Sequence, residues 1–137
     1  MPCVLDASAA LALVLPDEAG TAVAVERHLG HTRVLVPAIW HLEVGNALLV
    51  AVRRGRMRAE EAQEALDLLA SLPIEAAGLS PWKSLREAWS LALGHGLTVY
   101  DAAYLALAGE RRLPLLTLDR RLAGAARALG IEVIPES

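Results

Sequence analysis

The stretch Val4-Leu5-Asp6-Ala7-Ser8 decides the fold class, because it joins a short apolar strand directly to a helix. Its first two residues have the pattern of a buried strand, and the carboxylate follows at once. The Ala- and Leu-rich sequence after the carboxylate predicts a helix. A strand that leads straight into a helix is the repeating unit of an α/β fold.

The rest of the chain continues this alternation of strands and helices. Further strands are predicted at residues 34–36, 74–76, 115–117 and 131–134. Helices are predicted at residues 7–15, 17–29, 38–54, 59–72, 81–94, 98–110 and 119–129, with Pro16 and Gly30 as stops and Ser80 as an N-cap. We therefore expect an α/β protein with a mainly parallel central sheet flanked by helices, forming one domain over residues 1–137.

Length and composition argue against a disulfide-stabilised, membrane-spanning or secreted protein. The chain has 137 residues, of which 55% are hydrophobic, and that is enough to bury a core without disulfides. The longest apolar run, residues 7–15, is far shorter than the roughly 20 residues that a membrane span needs. No segment has the pattern of a signal peptide. Because the single Cys3 cannot form an internal disulfide, we expect a cytoplasmic protein without membrane contact.

Acidic side chains stand where apolar runs end or where buried helices begin. They are Asp6, Glu43, Asp101 and Asp119. A carboxylate beside an apolar core is costly unless something satisfies it, and a divalent metal ion with oxygen ligands would satisfy all of them together. In proteins with a parallel sheet, ligands bind beyond the carboxyl ends of the strands, and Asp6 and Asp119 are expected there. The other acids lie on helices that can reach the same edge.

Each acid also has a simpler explanation. Asp6 or Asp119 could cap the helix that follows it, and Asp101 follows Thr98 in the spacing of a relaxed capping box. Glu43 is harder to explain in this way, since its helix is apolar around most of its circumference and is predicted to be buried. Asn46 lies three residues further on the same face, and no Lys or Arg lies within a turn of Glu43.

The order and spacing of these motifs resemble those of a known family. The matching pieces are Val4-Leu5-Asp6-Ala7-Ser8, Glu43-Val44-Gly45-Asn46-Ala47, Leu97-Thr98-Val99-Tyr100-Asp101-Ala102-Ala103-Tyr104-Leu105-Ala106-Leu107-Ala108 and Leu116-Thr117-Leu118-Asp119. The chain resembles the PIN domain family, and in size and motifs it is similar to the VapC-type toxin ribonucleases. The resemblance covers essentially the whole chain and implies metal-dependent cleavage of RNA, with the four acids as metal ligands and a cognate antitoxin as partner.

The chemistry is consistent with that resemblance. Hydrolysis of a phosphodiester requires a nucleophilic water, stabilised charge on the phosphoryl oxygens and an assisted leaving group, and one or two Mg²⁺ or Mn²⁺ ions can supply all three. The acids would then be both metal ligands and catalytic residues. Ser8, Asn46 and Thr117 look like groups that orient the carboxylates. Ser8 could instead cap the first helix, and Thr117 could be an ordinary β-branched strand residue.

Basic residues offer candidate contacts to RNA phosphates. Arg120 and Arg121 follow the last of the acids directly, and we predict that they contact the RNA backbone. The cluster Arg53–Arg58 is interpreted instead as a solvated surface with cations near a helix end. With no Phe and two Tyr in the chain, an aromatic platform for stacking bases is not expected.

A stripe of large apolar residues lies at helical spacing in the second half of the chain, formed by Trp82, Leu85, Trp89 and Leu93. Core packing is the favoured interpretation, and the competing one is the face of a homodimer, because Trp is enriched at interfaces. Together with the high hydrophobic content, the stripe leads us to expect a two-fold symmetric homodimer.

Other functions remain open at the level of sequence. A PIN nuclease with a housekeeping role in RNA processing would carry the same acids, and so would a non-catalytic metal-binding interaction domain. An aspartyl phosphatase of the haloacid dehalogenase type would need a second Asp two residues after Asp6, where the chain has Ser8. A receiver domain would need paired acids after the first strand and a late Lys, whereas Asp6 is followed by Ala7 and the only Lys, Lys83, lies in a predicted helix.

Overall fold

The computed structural model describes residues 2–15, 19–29, 32–77 and 81–134. The strands are β1 (Cys3–Leu5), β2 (Val34–Val36), β3 (Ile74–Ala76), β4 (Leu115–Leu116) and β5 (Val133–Ile134). The helices are α1 (Ala7–Val14), α2 (Ala19–Leu29), α3 (Trp40–Arg53), α4 (Ala59–Ser71), α5 (Pro81–His95), α6 (Val99–Arg111) and α7 (Arg120–Ala128). The predicted α/β class is confirmed.

The strands of the described chain form one sheet in the order β3-β2-β1-β4-β5, and every neighbouring pair is parallel. The three strands at its centre, β2, β1 and β4, are fully buried, which explains why they are apolar without alternation. Parallel pairing places all their carboxyl ends at one edge of the sheet.

The register at the centre of the sheet sets the position of the polar residues that follow. Leu5 of β1 pairs with Leu116 of β4, so the residues after them, Asp6 and Thr117, emerge side by side. The Asp6 amide continues the ladder by donating to the Leu116 carbonyl oxygen at 2.9 Å. Residues more than 100 positions apart in sequence are therefore adjacent at this edge.

Helix α3 is not buried on all sides, so the prediction of full burial is wrong. It buries one stripe, formed by Trp40, Val44, Leu48 and Ala51. Leu42 is 73% exposed and Leu49 is also exposed, because the helix packs against the rest of the protein along that single stripe. Apolar composition alone therefore overstated how many neighbours surround α3.

The Trp-containing stripe of α5 is not part of the core, so the favoured interpretation of core packing is also wrong. Trp82 is 71% exposed, and Leu85, Trp89 and Leu93 are exposed as well. The reason is that α5 buries its small residues, Ala88 and Ala92, against Ala102 of α6.

Some predicted helix boundaries cannot be compared with the structure. The stops Pro16 and Gly30, the N-cap Ser80 and the helix start at Asp17-Glu18 lie outside the described residues. Within the described ranges, no helix has both the length and the apolar character needed to cross a membrane.

Candidate active site

Asp6 is the most buried of the four acids, with 5% of its surface exposed. Its Oδ2 atom accepts hydrogen bonds from Ser8 Oγ at 2.6 Å and from Thr117 Oγ1 at 2.7 Å. Although Asp6 occupies the N-cap position of α1, its side chain makes no capping hydrogen bond. The hydroxyls of Ser8 and Thr117 therefore contact the carboxylate as expected. The Asp6 side chain does not act as a helix cap.

The two hydroxyls are themselves held by the loop that connects β4 to α7. Ser8 Oγ accepts from the Leu118 amide at 3.1 Å, and Thr117 Oγ1 accepts from the Asp119 amide at 3.1 Å. Because each hydroxyl accepts from a backbone N–H, its own hydrogen points to Asp6. Both bonds to Asp6 use Oδ2, so its Oδ1 atom carries neither of them.

Glu43 lies in the first turn of α3 and is partly buried. Its Oε1 atom accepts a 2.6 Å hydrogen bond from the hydroxyl of Tyr104, which is fully buried on α6. Asn46, the partner that the sequence predicted, is exposed. Tyr104 was missed as a site residue, although its spacing of three residues from Asp101 on the same helix placed both on one face.

The remaining acids lie in the first turn of α6 and at the start of α7. The Asp101 amide donates to Thr98 Oγ1 at 3.1 Å, so Thr98 caps the helix while the Asp101 carboxylate takes no part in that bond. Asp119 does cap α7, with Oδ1 accepting from the amides of Arg121 and Leu122 at 2.9 and 3.2 Å. Capping and ligation are compatible for Asp119, because a carboxylate has two oxygens.

Electrostatic coupling joins the four acids into one group. Burial raises the pKa of Asp6 above its ordinary value, the hydroxyls of Ser8 and Thr117 oppose that rise, and the charges of Asp101 and Asp119 add to it. Burial also raises the pKa of Glu43, with the Tyr104 hydrogen bond opposing and the charges of Asp6 and Asp101 adding to it. Mutual repulsion of this kind arises only when the carboxylates share one region.

The oxygen donors suit a hard divalent cation such as Mg²⁺ or Mn²⁺. In the described part of the chain, however, no three His, Cys, Asp or Glu side chains are gathered closely enough to bind one ion together. The chemistry of the donor set nonetheless fits a cation.

The two candidate phosphate contacts differ in where their guanidinium groups lie. Arg120 is exposed beside Asp119 and lines a cavity next to it. Arg121 is also exposed, but its guanidinium donates to the carbonyl oxygen of Gly96, in the turn between α5 and α6. The Arg120 side chain thus lies beside Asp119, and that of Arg121 is anchored to a neighbouring loop.

Comparison with known proteins identifies the family. The PIN domain profile matches residues 3–128. The chain belongs to the PIN domain family. Among curated members, it is 43% identical over 127 residues to Ribonuclease VapC3 of Pyrobaculum aerophilum, covering 90% of this chain and 93% of the relative. It is 41% identical over 120 residues to Ribonuclease VapC12 of Mycobacterium tuberculosis, covering 88% of each protein.

Solved structures of similar proteins share the PIN fold. The crystal structure of PAE2754 from Pyrobaculum aerophilum is 29% identical, with a TM-score of 0.71 over 98% of this chain and 92% of the other. VapBC2 from Rickettsia felis, crystallised with a DNA fragment from its promoter, gives a TM-score of 0.66 over 97% of each chain. At 14% identity the second likeness shows the fold alone.

The hydrogen bond from Thr117 to Asp6 should affect how the stability of this PIN domain depends on pH. Because the folded-state pKa of Asp6 lies above its ordinary value of 3.8, the contribution of Asp6 to stability is fully present below that value and is lost as pH rises through the folded pKa. Thr117→Val removes a bond to the charged form, so the pKa rises further. We expect a loss of about 1.5–3 kcal/mol near pH 7 and a smaller loss near pH 4. Denaturant unfolding at both pH values measures it.

Thr117→Ser is the matched control, because it keeps the hydroxyl while removing a methyl group. We expect its stability to follow the wild-type pH dependence. An equal loss in Thr117→Val at both pH values would mean that the hydroxyl does not act on the Asp6 charge.

Proposed function

We propose that this PIN domain is an endoribonuclease that depends on Mg²⁺ or Mn²⁺, with Asp6, Glu43, Asp101 and Asp119 as its metal ligands and catalytic carboxylates. The observation that carries the proposal is the buried Asp6 at the carboxyl edge of the sheet, held by the hydroxyls of Ser8 and Thr117 and raised in pKa by the charges of Asp101 and Asp119 as well as by burial. The names of the curated relatives, which are ribonucleases at 43% and 41% identity, support the choice of RNA as substrate.

The cation would supply charge for the phosphoryl oxygens and a nucleophilic water at neutral pH. The protein's contribution is to hold the carboxylates in position. Ser8 and Thr117 fix one oxygen of Asp6 and leave the other without those bonds. Tyr104 fixes one oxygen of Glu43 in the same way. Such supporting hydrogen bonds keep ligand carboxylates oriented and ionised. Asn46 remains a proposed supporting residue, on its position alone.

The carboxylates also repel a phosphodiester, so basic residues near them are needed to bring RNA in. We propose Arg120 and Arg121 as phosphate contacts, supported by their exposure at the start of α7. The exposed aromatic side chains of the described chain are Tyr100 and, on α5, Trp82 and Trp89. Because the two tryptophans belong to the stripe assigned below to the homodimer, we propose recognition through the RNA backbone and shape.

The direct test of the function is RNA cleavage by purified protein. We expect cleavage of a structured RNA in the presence of Mg²⁺ or Mn²⁺, complete loss of cleavage in EDTA, and recovery when the metal is restored. Asp67→Asn, on the exposed face of α4, removes a carboxylate far from the site in sequence and should cleave like the wild type. Cleavage that persists in EDTA would contradict metal dependence.

We further propose that the protein is the toxin of a toxin–antitoxin pair and acts on RNA in the cytoplasm. Its curated relatives carry the VapC name, and its structural neighbours include a toxin–antitoxin complex from Klebsiella pneumoniae. The antitoxin would cover exposed apolar surface and block the acidic pocket. Co-expression with the product of the adjacent short reading frame should yield a complex without nuclease activity, whereas a housekeeping nuclease would have no such partner.

A homodimer is the proposed assembly, and the exposed stripe on α5 supports it. Trp82 and Leu93 are each 71% exposed, and an apolar stripe of this kind is rarely left in water. We expect light scattering to give twice the 14.6 kDa mass of one chain at micromolar protein. Trp89→Ser should shift the mass toward one chain, while Val23→Ser, on the exposed surface of α2, should leave it unchanged. A wild-type monomer would contradict the proposal.

A further inference from the structure

A cavity of about 410 Å³ opens beside the acidic site, at the edge of the sheet next to α7 and β5. Thr117 and Asp119 form its wall toward the site, Val133 lies on its β5 side, and Arg120 and Arg127 contribute from α7. The cavity therefore borders the site through Asp119 and through Thr117, whose hydroxyl donates to Asp6.

The basic residues of the cavity come from one face of α7. Arg120 and Arg127 are seven residues apart, which is about two helical turns or roughly 10 Å along the axis. Both are exposed. Between them the helix presents Ala123 to the cavity, so the space between the two guanidinium groups is not filled by a large side chain. A planar guanidinium suits the oxygens of a phosphate.

We infer that this cavity binds a backbone phosphate of the RNA strand next to the cleaved bond, with Arg120 and Arg127 as the cationic contacts. The inference rests on the proposed function and adds a path for the substrate. A strand whose scissile phosphate lies at the acids must continue over a neighbouring surface, and this cavity borders one of those acids, Asp119. Arg127, which sequence analysis did not select, joins Arg120 here.

An acidic peptide is the main alternative occupant, since it would also be attracted by two arginines. The position of the cavity favours RNA, because Asp119 forms part of its wall and the acids lie beyond it. The acids repel both anions, but an RNA phosphate held there would place the next phosphate of the strand at the acidic site, whereas the site offers a carboxylate-rich peptide no reaction.

The test is binding of a short fluorescein-labelled single-stranded RNA, followed by anisotropy in EDTA over a range of salt concentrations. For single strands, each lost phosphate contact should reduce the slope of log affinity against log salt by about 0.7. We expect weaker binding and that reduction for Arg120→Gln and for Arg127→Gln. Arg127→Lys keeps the charge and should keep the slope, and Arg53→Gln, at the far end of α3, should bind like the wild type.

The outcomes separate this inference from the proposed function. Wild-type affinity and slope in both Gln variants, or no RNA binding by the wild type, would overturn the inference even if the protein cleaves RNA. Displacement of the RNA by a short polyglutamate peptide at equal concentration would also overturn it in favour of a peptide site. Arginine-dependent binding without any cleavage would support the cavity and refute the nuclease.

Discussion

Asp101→Asn is expected to reduce the rate of RNA cleavage by at least about two orders of magnitude, as the loss of one positioned electrostatic group typically does. The substitution keeps the shape of the side chain and removes its charge. It also preserves the start of α6, because the capping bond there uses the Asp101 backbone amide and the Thr98 hydroxyl. The loss should therefore be one of activity, with the fold retained.

The control for this comparison is the same Asp-to-Asn substitution at a position outside the site. Asp67→Asn, exposed on α4, provides it and should retain the wild-type rate. Single-turnover cleavage of one labelled RNA at saturating Mg²⁺ measures both variants. If Asp101→Asn cleaves at the wild-type rate, either the site has been assigned to the wrong residues or another nuclease is present in the preparation.

Tyr104→Phe should raise the Mg²⁺ concentration needed for half-maximal cleavage by about 10–100-fold, which is the usual effect of removing a group that supports a metal ligand. The Tyr104 hydroxyl is fully buried and donates to Glu43 at 2.6 Å. That bond opposes the rise in the pKa of Glu43. Without it, the pKa of Glu43 rises further, and its carboxylate is free to rotate away from the site.

Helix α6 provides the matched control for this prediction. Tyr100→Phe removes a hydroxyl from an exposed residue of the same helix and should leave the Mg²⁺ dependence unchanged. A supporting role predicts that saturating Mg²⁺ restores most of the Tyr104→Phe rate. An unchanged Mg²⁺ dependence in Tyr104→Phe, with folding confirmed by its melt, would show that the hydrogen bond does not serve a metal ligand.

The sheet could be predicted well because its signals are local. Residues 34–36 and 74–76 were predicted as strands and are strands with those bounds, since each is a short segment bounded by turn or loop residues. Thr117 was predicted inside a strand and lies just after β4, where its side chain turns to Asp6. The end of a strand depends on what its side chains contact, and a local pattern does not contain that information.

The exposure of helix faces was predicted less well, because it depends on which helix packs against which. On α5, Ala88 and Ala92 form the contact with α6, so Trp82 faces away from the core despite its size. The hydrophobic periodicity of α5 contains both an alanine stripe and a Trp-containing stripe. The alanine stripe is the one that is buried, because it packs against Ala102 of α6.

The acids of the candidate site were found from sequence, while one of their supporting residues was not. A carboxylate after an apolar run is visible as a local anomaly, as for Asp6. The bond between Tyr104 and Glu43 joins residues 61 positions apart, and nothing in either segment alone indicates it. Because no Lys or Arg lies within a turn of Glu43, a partner from another element was required, but its identity came only with the folded structure, in which the Tyr104 hydroxyl reaches Glu43.

The central claim is that the four acids form one shared cation site, and thermal melts of wild type and Asp101→Asn, each in EDTA and in Mg²⁺, test it most directly. Asp101 raises the pKa of both Asp6 and Glu43, so its removal should relieve repulsion and raise the melting temperature in EDTA. Mg²⁺ at about 100 times its Kd should stabilise the wild type by about 2.7 kcal/mol and the variant by much less. The account predicts both results. A wild-type melting temperature unaffected by millimolar Mg²⁺, together with a lower melting temperature for Asp101→Asn in EDTA, would contradict it.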